Sequence, residues 1–175
     1  DRLCLVCELI IGNHGDVKEY SFKKAVISSN ARLTYSEMSE IVIDKINSQR
    51  EKHSHLLVHL DNLFELYQLL NAQRKKKGLI DFSSSESRFI FTNQGDIKSI
   101  DQTSRNDAHR LIEEMMLIAN ISAGEFLEKN NVAGIYRIHE TPKEEKLKDL
   151  KLLLSQLGLS LGDDKKPTVK SYSLL

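Results

Sequence analysis

The segment 105–120 most strongly constrains how this chain folds, because the spacing of its apolar residues fits one face of an α-helix. Asn106, Glu113 and Asn120 recur every seven residues and form a polar stripe opposite that face, with His109 beside it. A carboxylate between amides on an anchored helix can accept hydrogen bonds from a ligand, although a solvated surface fits the same spacing. The predicted apolar face comprises Ala108, Leu111, Ile112, Met115, Ile118, Ala119, Ser122 and Phe126.

Length and charge limit the classes of function without choosing one. A chain of 175 residues can bury a substantial core, so one domain is the default expectation. The 25 basic and 25 acidic residues balance, so global charge does not demand nucleic acid, although a neutral chain can still carry a local basic cleft. No apolar run reaches the roughly 18 residues of a membrane span, and the first residues lack a signal-peptide pattern. We therefore expect a cytoplasmic protein without a membrane partner.

The two ends of the chain suggest a segment of a longer protein. The sequence starts at Asp1 without a methionine and enters a nearly continuous apolar run at once. It stops at Leu175, inside a predicted helix, whereas domain boundaries usually fall in polar, flexible segments. We expect residues 1–175 to be a single, partial domain.

The order of the predicted elements indicates an α+β fold in which antiparallel hairpins pack with several amphipathic helices. The turns Gly12–Asp16 and Asn93–Asp96 separate strand-like runs, and Thr34-Tyr-Ser-Glu37 has the form of a helix-capping box. Strands are predicted at 3–11, 17–29, 88–92, 97–100 and 134–139. Helices are predicted at 34–48, 55–77, 105–130, from 142 to about 157, and after 166–168.

Two motifs have a spacing found in metal or redox sites, but the surrounding residues support neither kind of site. Cys4 and Cys7 lie three residues apart in a strand, so their thiols point to opposite faces, and buried structural thiols are the simpler interpretation. His55 and His59 share a helix face, but Leu56 occupies the position of the glutamate that a zincin requires. We assign no metal ligand to these residues.

Three further features each have one structural and one functional interpretation. The basic run 74–77 fits phosphate binding or compensation of a helix dipole. Phe82 stands at the edge of a polar turn, where its ring can close the core or stack on a base. His139 ends a predicted strand and is either a site residue or simply a hydrogen-bonded one.

Several sequence blocks resemble the ribonuclease R and ribonuclease II family, in its RNB catalytic domain. They occur in the order and with the spacing of that family from end to end, and the wording at 106–109 is closer to the ribonuclease R branch. The blocks are Asp1–Glu8, Asn30–Tyr35, Arg88–Phe91, Arg105–Asn120 and Tyr136–His139.

The resemblance implies a processive exoribonuclease that hydrolyses single-stranded RNA from the 3′ end to nucleoside 5′-monophosphates, assisted by Mg²⁺. By the same resemblance, Tyr35 matches a tyrosine that lines the RNA channel and helps to discriminate RNA from DNA. Phe82 matches an aromatic residue that stacks on the bases near the 3′ end. Glu113 matches a glutamate that bonds to a ribose near the cleavage site, and accepting from a 2′-hydroxyl separates RNA from DNA. The implied partner is single-stranded RNA, with no small-molecule cofactor.

The chain also departs from the family pattern. The family's metal site is an aspartate followed six residues later by Asp-x-Asp-Asp, and Asp163-Asp164 matches neither its spacing nor its context. The resemblance places that motif before this segment, the arginine that contacts the scissile phosphate after it, and the cold-shock and S1 domains outside it. We therefore expect no catalytic residue and no Mg²⁺ ligand in this chain, and no hydrolysis by it alone. The rival hypothesis is a non-catalytic helical interaction or RNA-binding module.

Overall fold

The first hairpin forms as predicted. A computed structural model describes residues 1–79, 86–103, 105–162 and 167–173. In it β1 (Arg2–Ile11) and β2 (Val17–Ile27) pair antiparallel, with a register shift at Ile10/Ile11. The turn closes through the Gly12 N–H, which donates to the Asp16 carbonyl at 2.8 Å. Gly15 adopts a φ of 77°, which a residue without a Cβ reaches at no steric cost.

The two cysteines lie in β1 and are reduced. Both are partly buried rather than fully buried, which corrects the expectation of buried thiols. The Cys4 thiol donates to the Ala25 carbonyl on β2 at 3.6 Å, and burial raises the pKa of Cys7. Neither feature favours a reactive thiolate.

The helix predicted from Thr34 to Ser48 is two helices. α1 (Tyr35–Val42) ends early, the chain reverses through Lys45 at a φ of 53°, and α2 (Asn47–Lys52) follows. The carbonyl of Ile41 accepts from the guanidinium of Arg50 at 2.9 Å. That side chain satisfies a carbonyl at the end of α1, so the helix can stop without a buried, unpaired acceptor.

The helix predicted from His55 to Lys77 and its end signal are confirmed, although the α-helix begins two residues later. A single 3₁₀ turn (Ser54–Leu56) leads into α3 (Leu57–Lys76). Gly78 then adopts a φ of 94°, and the Leu79 N–H donates to the Arg74 carbonyl at 3.1 Å. This is the left-handed helix cap expected from a basic last turn followed by glycine.

The second hairpin and the long helix complete the set of predicted elements that place the site. β3 (Glu86–Phe91) pairs antiparallel with β4 (Ile97–Thr103), and α4 (Asp107–Lys129) follows. Beyond it lie α5 (Glu144–Gln156) and the short α6 (Val169–Tyr172). The α+β prediction is therefore confirmed.

The strand predicted at 134–139 does not form. These residues have no regular structure and pair with no strand in the described part of the chain. Alternating apolar residues at this place lack a neighbouring strand edge, so their backbone groups have no ladder to join. Ile135, Tyr136 and Ile138 are exposed, and His139 ends no strand.

The chain divides into two compact units. The first comprises Asp1–Asn71 and Phe82–Ser122, and the second comprises Ala72–Asp81 and Ala123–Leu175. The core of the first unit is a cluster of apolar residues from α1, α3 and α4. The buried members of the cluster are Met38, Ile41, Val42, Tyr67, Ala108 and Leu111.

No helix in the described ranges is long and apolar enough to cross a membrane.

The buried face of α4 differs in part from the predicted one. Ala108, Leu111 and Ser122 are buried as expected, but Ile112 is 41% exposed. Glu114, assigned to no apolar face, is only 5% exposed. The direction from which α1 and α3 cover the helix decides which residues at the edge of the apolar stripe are buried, and periodicity does not contain that direction.

Candidate nucleic-acid interface

Tyr35 is the first residue of α1, and the helix cap holds its backbone in place. The N–H of Glu37 donates to the Thr34 hydroxyl at 3.2 Å, while the N–H of Thr34 donates to the Glu37 carboxylate at 2.9 Å. Lys52 approaches the same carboxylate at 3.4 Å. The Thr34 N–H, more than Lys52, lowers the pKa of Glu37. The capped helix thus presents a Tyr35 side chain that is 45% exposed.

His109, in the first turn of α4, stacks on Tyr35. Their ring centroids are 3.9 Å apart and their planes differ by 20°. The contact joins the first residue of α1 to the first turn of α4. Because Tyr35 stays exposed while one side of its ring is supported, the ring can meet a ligand without first being immobilised by it.

Asn106 precedes α4 and orients the His109 ring. Its side-chain oxygen accepts from the His109 N–H at 3.2 Å, which is the bond of a helix N-cap. The same oxygen lies 2.6 Å from Nδ1 of His109, and the Asn106 backbone N–H lies 3.4 Å from that nitrogen.

Glu113 lies one helical turn after His109, on the same side of α4. Its carboxylate forms an ion pair with Arg105, and 41% of its side chain is exposed. The guanidinium of Arg105 holds the Glu113 carboxylate in a defined position, because it donates hydrogen bonds to a charged acceptor. A carboxylate placed in this way can accept a hydrogen bond from a ligand hydroxyl.

Partly buried polar bonds anchor the start of α4. The Tyr67 hydroxyl on α3 donates to the Asp107 carboxylate at 3.1 Å, and Arg110 donates to the same oxygen at 3.1 Å. Asn71 donates to the Tyr67 hydroxyl at 3.3 Å. Burial, and secondly the Asp107 charge, raises the pKa of Tyr67 to about 12. Tyr67 is therefore a neutral donor at physiological pH.

The polar stripe predicted on α4 begins next to His109, the residue on which Tyr35 stacks. Two of the three predicted RNA-binding residues, Tyr35 and Glu113, therefore lie in the first unit, on either side of His109 in the chain of contacts. Tyr35 and Glu113 are connected through His109, which the sequence placed only beside the stripe. Arg105 is a further member that sequence reasoning missed, since no local pattern shows where its side chain reaches. Phe82 lies outside the described residues.

No group of three or more His, Cys, Asp or Glu side chains within the described ranges is arranged to hold a metal ion. Glu113 is already engaged by Arg105, and a single carboxylate is a poor Mg²⁺ site without partners. The chemistry this surface supports is recognition of rings and hydroxyl groups.

Comparison with known proteins identifies the family. The RNB domain model matches residues 1–173. The chain is 42% identical to ribonuclease R of Escherichia coli over 175 residues, covering 100% of this chain and 21% of that protein. It is 41% identical to ribonuclease R of Vibrio cholerae with the same coverage. The chain thus spans about a fifth of the length of these relatives.

Solved structures agree with this match. The apo form of Mycoplasma genitalium RNase R superposes with a TM-score of 0.84 at 26% identity, covering 99% of this chain and 27% of that one. The same enzyme in complex with ribose methylated single-stranded RNA gives the same values. These matches confirm the resemblance seen in the sequence blocks, and because the family match extends over nearly the whole chain, this chain belongs to the RNB domain family.

Proposed function

We propose that this chain forms an RNA-contacting part of an exoribonuclease, in which Tyr35 and Glu113 recognise the sugar of a single-stranded RNA. The observation that carries the proposal is the stacking of the exposed Tyr35 ring on His109, one helical turn before the partly exposed carboxylate of Glu113 on the same helix. The family membership supports RNA as the ligand, as does the RNA complex of the Mycoplasma genitalium relative.

The chemistry of the two side chains suits a ribose. A tyrosine ring offers a flat apolar surface and a hydroxyl, and a carboxylate only accepts hydrogen bonds. The 2′-hydroxyl of RNA is a donor that DNA lacks, so an acceptor beside the sugar favours RNA. We also propose that Phe82 stacks on a base near the 3′ end of the RNA. For Phe82, only the family resemblance supports this role.

The direction and products of the reaction are also part of the proposal. As in the family that the sequence resembles, we propose processive hydrolysis from the 3′ end to nucleoside 5′-monophosphates, with Mg²⁺ bound by residues other than those described here. When bound, Mg²⁺ would activate water and stabilise charge on the phosphate. The part of this chain is to bind and orient the strand so that the reacting phosphate is correctly placed.

The test uses the full-length protein that contains this sequence, with single-stranded oligonucleotides labelled at the 5′ end. We expect all-ribose strands to shorten progressively from the 3′ end in Mg²⁺, and all-deoxyribose strands to remain intact. Tyr35→Ala should narrow this difference, whereas Tyr136→Ala, a change at another exposed tyrosine, should not. If the full-length protein binds the all-ribose strand but does not shorten it, the result favours the alternative, a non-catalytic RNA-binding module.

A further inference from the structure

We infer that His109 is a positioning residue for sugar recognition: its ring holds Tyr35 against α4, so that Tyr35 and Glu113 meet the RNA as one unit. The inference rests on the proposed function and adds a residue to it.

The geometry of the ring pair carries the first step. A centroid separation of 3.9 Å with planes 20° apart is a stacked contact over the ring faces. Such ring pairs contribute stabilisation beyond the area they bury. Without that support the Tyr35 side chain, exposed at the start of a helix, would sample several rotamers and lose them on binding. The stack removes part of this entropic cost before the ligand arrives.

The His109 ring is itself fixed, which makes it a support rather than a second mobile ring. Asn106 holds the His109 backbone through the N-cap bond and the His109 ring through the 2.6 Å contact with Nδ1. Beneath it, Ala108 and Leu111 are fully buried in the core cluster. The ring therefore has one preferred orientation relative to α4.

The same helix carries the carboxylate, which couples the two contacts to the ligand. Glu113 follows His109 by four residues, and Arg105, just before the helix, pairs with that carboxylate. A shift of the Tyr35 ring away from His109 changes its distance from Glu113, and a single ribose then no longer meets both groups. We expect His109 to influence sugar preference although its role requires no contact with the RNA.

The test compares two variants in the full-length protein that contains this sequence. His109→Leu keeps a bulky, helix-compatible side chain but removes the ring, and His109→Phe keeps a ring but removes both nitrogens. His59→Leu, at an exposed histidine on α3, is the matched control. For each variant, kcat/KM is measured on all-ribose strands and on strands with one deoxyribose near the 3′ end, beside a melting curve.

We expect His109→Leu to reduce the ratio of the two kcat/KM values by about two- to tenfold, the range that corresponds to loss of one aromatic pair. His109→Phe should reduce the ratio less than His109→Leu does, because the ring face persists although Asn106 no longer fixes its orientation. Adding Tyr35→Ala to His109→Leu should cost no more than Tyr35→Ala alone, since both changes remove the same contact. A purely structural histidine would lower the melting temperature without changing the ratio.

The outcomes separate this inference from the proposed function. If Tyr35→Ala reduces the ratio and His109→Leu does not, the inference is wrong while the proposed function stands. If neither Tyr35→Ala nor Glu113→Ala changes the ratio, the proposed function fails and the inference fails with it. A loss in His109→Phe as large as in His109→Leu also overturns the inference, because it shows that the stacked ring is not what matters.

Discussion

The hydroxyl of Tyr67 donates a 3.1 Å hydrogen bond to the carboxylate of Asp107, a residue 40 positions later in the sequence. The bond connects α3 to the first turn of α4, where His109 supports Tyr35. Arg110 and Asn71 complete the network. The orientation of the candidate interface therefore depends on a partly buried polar contact as well as on apolar packing.

Tyr67→Phe is expected to lower the free energy of unfolding by about 1 kcal/mol at neutral pH, the usual net contribution of one hydrogen bond. Its pH dependence is more specific. The folded pKa of about 12 exceeds the usual 10, so the contribution is complete below pH 10 and is lost as pH rises to 12. Between pH 10 and pH 12 the free energy of unfolding should fall by at most about 3 kcal/mol through the ionisation of Tyr67.

Urea denaturation at pH 7, 10 and 11 checks this prediction, with Tyr136→Phe as the control at an exposed tyrosine. Stability of Tyr67→Phe should fall less steeply above pH 10 than that of the unchanged protein. Parallel curves would show that the Tyr67 hydroxyl is not protonated more tightly in the folded state.

The paired contacts between Arg50 and Asp61 give a prediction for acid. The guanidinium donates to both carboxylate oxygens, at 3.0 and 2.8 Å, and this bonding lowers the pKa of Asp61. Stability from the pair is therefore present above pH 4 and is lost as pH falls through the lowered pKa. Because the Asp61 side chain is 45% exposed, Asp61→Asn should cost less than about 1 kcal/mol.

Arg50→Ala should cost more than Asp61→Asn, because the Ile41 carbonyl also loses its donor. Denaturation curves from pH 7 to pH 3 test both changes, with Asp149→Asn as an exposed control. An Asp61→Asn protein that loses stability in acid as steeply as the unchanged one would contradict the assignment.

Glu113→Ala is expected to slow cleavage of all-ribose strands and to weaken discrimination against deoxyribose. Loss of a charged acceptor corresponds to about 1.5–3 kcal/mol, or roughly ten- to hundredfold in kcat/KM. Stability should change by less than about 0.5 kcal/mol, since the side chain is partly exposed. Glu128→Ala, at an exposed position on the same helix, should change neither quantity. An unchanged sugar preference in Glu113→Ala would remove this residue from the interface.

Phe82→Ala is expected to weaken retention of the RNA 3′ end in the full-length protein that contains this sequence. Stacking of a base on an aromatic ring is worth about 1–3 kcal/mol, so Kd should rise by about five- to 150-fold. Filter binding with short strands measures this, and Phe91→Ala is the control at an exposed phenylalanine. A Phe82→Ala protein that binds normally but melts at a lower temperature would show that the ring closes the core instead.

The 175-residue chain by itself is expected not to hydrolyse RNA. No metal-binding carboxylate cluster occurs in its described ranges, and the family's aspartate motif is absent from its sequence. Single-stranded RNA incubated with purified chain and Mg²⁺ or Mn²⁺ should yield no monophosphates. Metal-dependent release from a nuclease-free preparation would overturn the prediction.

Features that depend on neighbouring residues in the sequence were predictable. The Thr34–Glu37 capping box, the Gly78 helix end and both hairpins formed where the residue types indicated. The two helix ends are stabilised by bonds within a few positions, and each hairpin pairs two strands that one tight turn connects. The heptad spacing of Asn106 and Glu113 likewise placed both on one side of α4. Local hydrogen bonding and helical periodicity determine these features before any packing occurs.

Features that require a partner from elsewhere in the chain were not predictable. Arg50 reaches back to the Ile41 carbonyl where α1 ends, and the strand expected at 134–139 has no strand to pair with in the described part of the chain. The Tyr35–His109 stack joins two helices whose relative placement is set by a shared apolar core. The sequence by itself determined the helices, the turns and the chemical types at the interface. Only the tertiary structure decided which of those groups meet, because contact between distant residues depends on how apolar faces pack and not on spacing along the chain.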